Sequence, residues 1–216
     1  MRLTVFNGSP RGSRSNTKIL LEHFINGFMT TDGNTYELAY LNHLKDRDNF
    51  IKLFEEAEQI LLAFPLYTDA MPAMVKTFIE SLEPLCGREG NPDIGFIVQS
   101  GFPEAIHSRY VERYLEKLAV RLGCSYKGTV IRGGVEGIQS LPAWMNRKLF
   151  KSFYELGKTF GKTEEFDEQI VLKLAQPERL TKFQFWVLKL FGNLYWNRML
   201  KKNNAFEKRF AKPYAS

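Results

Sequence analysis

Short apolar runs alternate with helical patterns five times along residues 1–160, and this alternation constrains the fold more than any other feature. The apolar runs lie at residues 1–6, 36–41, 59–64, 94–98 and 128–131. Apolar residues at helical spacing follow each run, at residues 17–29, 50–57, 71–85, 110–122 and 143–160. A strand followed by a helix, repeated in this way, predicts an α/β fold with a three-layer, doubly wound, five-stranded parallel sheet.

A loop rich in Gly, Ser, Arg and Asn joins the first strand directly to the first helix. Gly8 and Gly12 allow the backbone to turn tightly and to point its N–H groups inward. The start of the helix adds unpaired N–H donors and the positive end of the helix dipole. Hydroxyls and a guanidinium add side-chain donors, and Arg14 is an alternative to Arg11 for the latter. The residues that we predict to bind a phosphate group are Ser9, Arg11, Ser13, Ser15, Asn16 and Thr17. The alternative is an ordinary turn in which Ser15 or Asn16 caps the helix.

The sequence of this loop excludes two familiar nucleotide-binding motifs. The loop lacks the G-x-x-x-x-G-K-[ST] pattern, so the lysine and the magnesium-binding hydroxyl of a P-loop are missing. It also lacks G-x-G-x-x-G, and the second strand ends in Leu41 and Asn42 rather than in an acidic residue that would hold a ribose. Hydroxyls and an arginine without a metal ligand suit a terminal phosphate monoester, and FMN carries such a group.

A second segment places an aromatic side chain at the same edge of the predicted sheet. Residues 59–64 form a continuous apolar run, as expected for a central strand that is buried on both faces. Pro65 has no N–H and ends the pairing, so Leu66, Tyr67 and Thr68 lie where open α/β sheets bind ligands. We predict that Pro65, Leu66, Tyr67 and Thr68 contact the isoalloxazine ring of a flavin. The alternative for Tyr67 is packing on the next helix.

Two further loops lead to the same edge. Ser100, Gly101 and Phe102 follow the fourth strand, and Gly134 follows the fifth. Small residues let the backbone approach a flat ligand closely, so we include these four among the cofactor-binding residues. A plain glycine turn is the alternative for each loop.

Residues 7–17 and residues 63–80 together resemble the NADPH-dependent FMN reductase family of the flavodoxin-like group. The resemblance is carried by Asn-Gly-Ser-Pro-Arg with Ser-Asn-Thr in the first segment, and by Pro-x-Tyr followed by a helix with Lys and Phe-Ile-Glu in the second. It implies the strand order 2-1-3-4-5 over residues 1–160. It also implies bound FMN, NADPH or NADH as the electron donor, and a homodimer that helps to cover the flavin.

The function implied by this resemblance is an NAD(P)H-dependent, FMN-containing oxidoreductase. The electron acceptor is a small molecule such as a quinone, a free flavin, or a nitro or azo compound, and the sequence does not choose among them. The cofactor carries this chemistry, so we name no catalytic side chain. One alternative is a flavodoxin-type electron carrier, although such carriers tend to be acidic and to lack the loop arginine. Another is a membrane-associated flavin-binding module without nicotinamide activity.

Charge and cysteine content limit the compartment and the metal chemistry. The net charge is +6, and residues 167–216 hold ten Lys and Arg against four Asp and Glu, whereas residues 1–166 balance. Cys86 and Cys124 form no C-x-x-C pair, so we expect no zinc site, no iron–sulfur cluster and a reducing compartment. No signal peptide or membrane-spanning window is apparent, so we expect a cytoplasmic protein.

Residues 167–216 are not explained by the α/β pattern, and we predict a basic, aromatic helical extension to a domain of residues 1–166. Its predicted apolar face consists of Phe183, Val187, Leu190, Phe191, Leu194 and Tyr195. Its predicted polar stripe consists of Lys182, Lys189, Asn193, Asn197 and Lys201. Trp186 and Trp196 widen the apolar arc, and a basic tail that includes Lys212 follows. Three interpretations remain open: packing on its own domain or a second subunit, peripheral contact of residues 183–202 with an anionic membrane, or nucleic-acid binding. Nucleic-acid binding is disfavoured because no known nucleic-acid recognition motif accompanies the positive charge.

Overall fold

A computed structural model describes residues 1–211, apart from the side chains of Leu44 and Phe191. Lys212 of the predicted basic tail therefore lies outside the described residues. The strands are β1 (Arg2–Asn7), β2 (Thr35–Tyr40), β3 (Gln59–Pro65), β4 (Asp93–Gln99) and β5 (Tyr126–Arg132). They form a single all-parallel sheet in the order β2-β1-β3-β4-β5, which confirms the predicted fold class and strand order.

Helices cover both faces of the sheet and continue beyond it. They are α1 (Asn16–Phe28), α2 (Arg47–Glu55), α3 (Ala73–Ser81), α4 (Arg109–Leu122), α5 (Ala143–Thr163), α6 (Glu168–Leu174) and α7 (Lys182–Lys202). Helix α3 is shorter than the predicted range 71–85, because proline restricts both of its ends. Pro72 precedes its first turn, and Pro84 lies in the separate 3-10 turn Glu83–Leu85. Helix α4 ends at Gly123, whose φ is 78°.

The two faces of the sheet each bury an apolar cluster. Along β3, Leu61 and Ala63 pack towards α1 and α5, whereas Leu62 and Phe64 pack towards α2, α3 and α4. Side chains of a strand alternate between faces, so a strand covered on both sides must be apolar throughout. This is why the run at residues 59–64 is uninterrupted.

Helices α1 and α5 approach each other through glycines. A Cβ on Gly27 would lie 1.9 Å from the carbonyl oxygen of Tyr154, and a Cβ on Gly157 would lie 1.9 Å from that of Phe24. Neither position has room for any other residue. The contact between α1 and α5 thereby sets the position of the segment before α5 relative to the start of α1.

The chain divides into two compact units, Met1–Glu178 and Arg179–Ser216. Helix α6 groups with the first unit, beyond the boundary that we expected at residue 166. Asp167 caps α6 by accepting a hydrogen bond from the N–H of Ile170 at 2.9 Å. Leu174 and Ala175 are buried in the core of the first unit. The second unit contains α7, so the predicted C-terminal helices are present.

Among residues 1–211, none of the helices combines the length and the apolar character needed to cross a lipid bilayer.

Candidate functional site

Four loops meet at the carboxyl edge of the sheet, and they hold the residues that the sequence singled out. The loops follow β1, β3, β4 and β5, which are neighbours in the sheet in that order. The carboxyl ends of parallel strands share one edge, and open α/β sheets bind ligands there. The predicted site residues are thus brought to one edge of one sheet.

The loop after β1 is organised by Asn7, which begins the Asn-Gly-Ser-Pro-Arg motif but was not among the predicted binding residues. Asn7 is fully buried, and its Oδ1 accepts a hydrogen bond from the N–H of Ser9 at 3.0 Å. Its Nδ2 donates to Ser15 Oγ at 3.4 Å and to the carbonyl oxygen of Gly12 at 3.5 Å. One side chain therefore joins both ends of the loop. The sequence feature that could have identified Asn7 is a polar residue at the end of an apolar strand.

Gly12 gives the same loop its turn. Its φ is 56°, a backbone conformation that residues with a Cβ rarely adopt. A Cβ there would also lie 2.6 Å from Asn42 Nδ2. Gly12 begins the short 3-10 turn Gly12–Arg14, which leads into the first turn of α1.

Three backbone N–H groups at this turn are free to bind a ligand. In the described part of the chain, the N–H groups of Ser13, Asn16 and Thr17 have no hydrogen-bond acceptor. Those of Asn16 and Thr17 belong to the first turn of α1, where the positive end of the helix dipole lies. Unpaired N–H donors at a helix N-terminus suit an anion such as a phosphate group. The backbone of this loop therefore fits the predicted ligand.

Several predicted side chains already have partners within the protein. Ser15 caps α1, because its Oγ accepts from the N–H of Lys18 at 3.1 Å and donates to the carbonyl oxygen of Gly12 at 2.6 Å. Asn16 is buried and donates to the carbonyl oxygen of Val135 at 2.8 Å. Its Oδ1 accepts a hydrogen bond from Gln139 at 2.7 Å. Ser15 thus performs the capping role that the sequence left as an alternative, and Asn16 connects the loop after β1 to the loop after β5.

Two more of the predicted side chains are buried beside the same turn. Ser9 Oγ accepts from the N–H of Arg11 at 3.4 Å, and Thr17 Oγ1 accepts from Gln99 Nε2 at 3.2 Å. Ser13 and Arg11 are exposed. The exposed donors of the predicted set are therefore the side chains of Ser13 and Arg11.

Arg11 faces an acidic residue across the mouth of the loop. Its Nη2 lies 3.4 Å from Glu136 Oε1, and both side chains are more than half exposed. Glu136 comes from the loop after β5 and did not stand out in the sequence. An exposed pair of this kind contributes little to stability, so an arriving anion can compete for Arg11.

The loop after β3 makes a tight turn that presents Tyr67. Tyr67 and Ala70 exchange two backbone hydrogen bonds of 2.9 and 3.2 Å. Thr68, between them, has a φ of 58°, which is uncommon for a β-branched residue. The Tyr67 side chain is 47% exposed. Leu66 is buried and donates its N–H to the carbonyl oxygen of Gln99 at 2.7 Å, so pairing continues one residue past Pro65.

The loops after β4 and β5 are joined by backbone hydrogen bonds. Ser100 is buried and accepts from the N–H of Val135 at 3.0 Å, and Gly134 donates to the carbonyl oxygen of Phe102 at 2.8 Å. The Phe102 ring is 44% exposed and packs against the ring of His107 with centroids 4.8 Å apart. Gly101 and Gly134 are exposed beside it. Phe102 and Tyr67 therefore both present aromatic surface from the carboxyl-edge loops.

The chain leaves the first unit near this edge. The N–H groups of Ala105 and Ile106 donate to the carbonyl oxygens of Pro177 and Glu178 at 3.0 and 3.2 Å. The Arg109 guanidinium donates to the carboxylate of Glu178 at 2.8 Å, and this bond raises the pKa of Arg109. Residues 177–178 are thereby held against the segment that follows the β4 loop.

A partly buried arginine contacts the neighbouring residues of the same segment. Arg132 Nη1 donates to the carbonyl oxygens of Leu174 and Gln176 at 3.3 and 3.4 Å, and burial lowers the pKa of its guanidinium. Within residues 1–211, no three His, Cys, Asp or Glu side chains are grouped so that they could hold a metal ion.

Comparison with known proteins identifies the class of fold. The family model described as a flavodoxin-like fold matches residues 1–82, the part of the chain that contains both sequence motifs. This match confirms that the resemblance found in residues 7–17 and 63–80 is to flavodoxin-like proteins. A search of curated proteins gave no match.

Solved structures with the same fold include several reductases. An FMN-dependent NADH-azoreductase from Bacillus anthracis str. Ames Ancestor, in complex with FMN, is 14% identical, with 74% of this chain and 99% of that chain covered and a TM-score of 0.57. An NADPH-quinone reductase from P. pentosaceus is 17% identical, with 72% and 96% covered and a TM-score of 0.50. A Trp repressor binding protein from Bacillus subtilis is 23% identical, with 71% and 96% covered and a TM-score of 0.54. The fold of this chain is flavodoxin-like.

Proposed function

We propose that this protein is an FMN-dependent oxidoreductase that takes electrons from NADH or NADPH and passes them to a small acceptor. The observation that carries the proposal is the set of free N–H groups of Ser13, Asn16 and Thr17 at the start of α1. They lie at the carboxyl edge of a flavodoxin-like sheet, with Arg11 beside them. A phosphate monoester with two negative charges suits this arrangement of donors.

The role of the protein in this proposal is to bind and orient the cofactor. The turn at residues 12–17 would hold the phosphate group through its backbone, and Arg11 would add a charged donor. Tyr67 and Phe102 would border the ring system, because both expose aromatic surface at the same edge. FMN, when bound, supplies the redox chemistry by accepting a hydride and releasing electrons to an acceptor. No side chain of the chain has to act as an acid, a base or a nucleophile.

Structural likeness supports the reductase class and leaves the acceptor open. The azoreductase and the quinone reductase described above use different acceptors on the same fold. A quinone, a free flavin, and a nitro or azo compound therefore all stay candidates. The homodimer stays a prediction, and sedimentation velocity of the purified protein would check it.

The direct test is the pigment and its reduction. We expect the protein to be purified yellow or to become yellow with FMN, and the released pigment to be FMN by chromatography. Anaerobic mixing with NADH and with NADPH, in parallel, should bleach the flavin band within seconds for at least one donor. FMN binding without bleaching would replace the reductase with an electron carrier. Failure to bind FMN would contradict the proposal as a whole.

A further inference from the structure

The second unit presents apolar side chains with no core beneath them. In residues 179–211, leaving aside Phe191, no hydrophobic side chain is buried. Phe183, Trp186 and Trp196 expose 73%, 61% and 64% of their surface. Further exposed residues are Phe185, Leu188, Leu190, Leu194, Tyr195 and Phe210. Contiguous apolar surface of this kind marks a site of interaction with another surface.

These side chains surround α7 instead of forming one face, which corrects the predicted separation into an apolar face and a polar stripe. Trp186 lies three residues before Lys189, and Trp196 lies three residues after Asn193. Residues three apart share a face of a helix, so each tryptophan lies with a residue of the predicted stripe. A helix that is apolar on all sides is normally surrounded by an apolar medium or by other protein.

The sequence nevertheless specifies α7 as a helix. Thr181 accepts a hydrogen bond from the N–H of Gln184 at 3.2 Å, and Gln184 Oε1 accepts from the N–H of Thr181 at 2.9 Å. This capping box defines the first turn. Most of the stability of a helix in a protein comes from packing of its apolar side chains, so α7 has a start signal and lacks a buried face.

Charge indicates what kind of surface α7 fits. Residues 179–216 hold nine Lys and Arg against the single acidic residue Glu207, whereas residues 1–178 hold 21 against 23. The positive excess of the whole chain therefore lies in the second unit. Pairing of α7 with α7 of a second copy would bring two such cationic segments together. An anionic surface complements them.

We propose that residues 179–211 bind the surface of an anionic lipid membrane. Trp and Tyr side chains are favoured at the boundary between headgroups and acyl chains. Lys and Arg can place their alkyl chains along apolar surface while their charged ends reach lipid phosphates. Lys182, Lys189 and Arg198 are distributed along α7, and Lys201 and Lys202 end it, so cations accompany the aromatic residues over its full length.

The first test is co-sedimentation of the full-length protein with vesicles. We expect binding to vesicles of 70% phosphatidylcholine and 30% phosphatidylglycerol, and at least tenfold weaker binding to phosphatidylcholine alone. Raising the salt to 0.5 M should release the protein from the anionic vesicles, since screening weakens the attraction. Equal binding to both kinds of vesicle, or no binding to either, would overturn the proposal.

Matched variants distinguish membrane binding by the second unit from non-specific electrostatic adsorption of the protein. The variant Lys201→Gln/Lys202→Gln/Lys208→Gln/Arg209→Gln should lose at least about tenfold in binding to the anionic vesicles. The control Lys76→Gln/Lys117→Gln/Lys148→Gln/Lys151→Gln removes four exposed lysines of the first unit and should keep the binding of the parent. Circular dichroism should report the same thermal midpoint for both. Equal losses in the two variants would contradict the proposal.

Tryptophan fluorescence reports the contact directly, because the three tryptophans are all highly exposed. Trp144, on α5, is 75% exposed. The variant Trp144→Phe keeps Trp186 and Trp196 and should show a blue shift of its emission when anionic vesicles are added. The variant Trp186→Phe/Trp196→Phe keeps Trp144 and should show none. A blue shift confined to Trp144 would overturn the proposal.

Sedimentation velocity distinguishes a lipid surface from a second copy. We expect the parent and Trp186→Ser/Trp196→Ser to contain the same number of subunits, with vesicle binding lost in the variant alone. Dissociation of an oligomer by these substitutions would place the helix in a protein interface and contradict the proposal.

Discussion

Under the proposed function, two single residues at the mouth of the loop after β1 would determine how it binds a phosphate group. Arg11 and Glu136 form an exposed pair 3.4 Å apart, and they act with opposite sign on a ligand that carries negative charge. Arg11 would attract the phosphate group of the proposed cofactor, whereas Glu136 would both repel it and compete for the guanidinium. Under the proposed function, affinity at this loop would therefore reflect a balance between two side chains that lie 125 residues apart in sequence.

Substitution of the two residues should change FMN affinity in opposite directions. Arg11→Ala should weaken FMN binding by about 1.5–3 kcal/mol, the scale of one hydrogen bond to a charged group. Glu136→Gln should strengthen it by about 0.2–1 kcal/mol, because the competing exposed pair is removed. Fluorescence titration measures both. Arg88→Ala, which breaks the exposed pair with Glu55 at 2.7 Å, is the control and should leave the affinity unchanged. Weaker binding in Glu136→Gln would contradict the assigned roles.

Gly12 offers a second test at this scale. Gly12→Ala and Gly33→Ala both place a Cβ at positive φ, 56° and 80°, and each should lose about 1–2 kcal/mol of unfolding free energy. A Cβ at Gly12 meets Asn42, whereas one at Gly33 meets no atom within 4 Å. Urea unfolding should therefore give a loss for Gly12→Ala that is at least as large as that for Gly33→Ala, but only Gly12→Ala should weaken FMN binding. Equal FMN affinity in the two variants would show that the turn at Gly12 does not bind the cofactor.

Residues that are close in sequence were predictable, and those brought in by packing were not. Ser13, Asn16 and Thr17 lie within one loop whose composition indicates anion binding, and their N–H groups are free. Glu136 and Gln139 reach the same loop only because α1 and α5 pack on one face of the sheet. Since β5 is not a neighbour of β1 in the sheet, no local sequence pattern predicts that Glu136 and Gln139 contact the loop after β1.

Elements pack against one another under steric limits that the sequence shows only as scattered glycines. The close approach of α1 and α5 depends on Gly27 and Gly157, which face backbone atoms of the opposite helix. Backbone cannot move aside as a flexible side chain can. The position of α5 relative to α1, and with it the loop that carries Glu136, depends on these two positions.

Gly157→Ala and Gly192→Ala form a matched pair at this scale. A Cβ at Gly157 lies 1.9 Å from the carbonyl oxygen of Phe24, so this variant should lose about 3 kcal/mol in urea unfolding. At Gly192, within α7, a Cβ meets nothing within 4 Å, so alanine should increase the helical signal in circular dichroism. A Gly157→Ala variant as stable as the parent would contradict the close approach of the two helices.

Helix α7 shows how an element can be predicted while its surroundings are not. Helical spacing predicted a helix in this segment, whereas the capping box of Thr181 and Gln184 that defines its start was not predicted. The predicted two-faced pattern fails because Trp186 and Trp196 share faces with polar residues. A set of apolar residues at helical spacing suggests one apolar face even when other apolar residues lie on the remaining faces of the helix.

At the scale of the whole molecule, the chain consists of a sheet-containing unit and a cationic helical unit. Strand and helix alternation predicted the first unit, although the strand order required the family resemblance, because periodicity does not specify which strands are neighbours. The boundary at residue 166 followed the end of the resemblance. Helix α6 lies beyond that point, and its contribution to the core depends on Leu174 and Ala175, two apolar residues without a pattern of their own.

Shortened chains test this division. A chain that ends at Glu178 should have a free energy of unfolding within about 1 kcal/mol of that of the full chain, because the buried hydrophobic residues among residues 1–211 end at Ala175. A chain that ends at residue 166 should lose about 3–5 kcal/mol, since it exposes core and removes the carbonyl partners of Arg132. Urea unfolding with FMN absorbance as a second probe measures both. Similar stability of the two shortened chains would contradict the described boundary.

The comparison of FMN with riboflavin tests the central claim most directly, since the two differ only in the phosphate group. If the N–H groups at the start of α1 and Arg11 hold that phosphate, the dissociation constant for FMN should be at least about 100-fold lower than that for riboflavin. Isothermal titration of the protein freed of flavin measures both constants under one condition. Equal affinity for the two flavins would contradict the account.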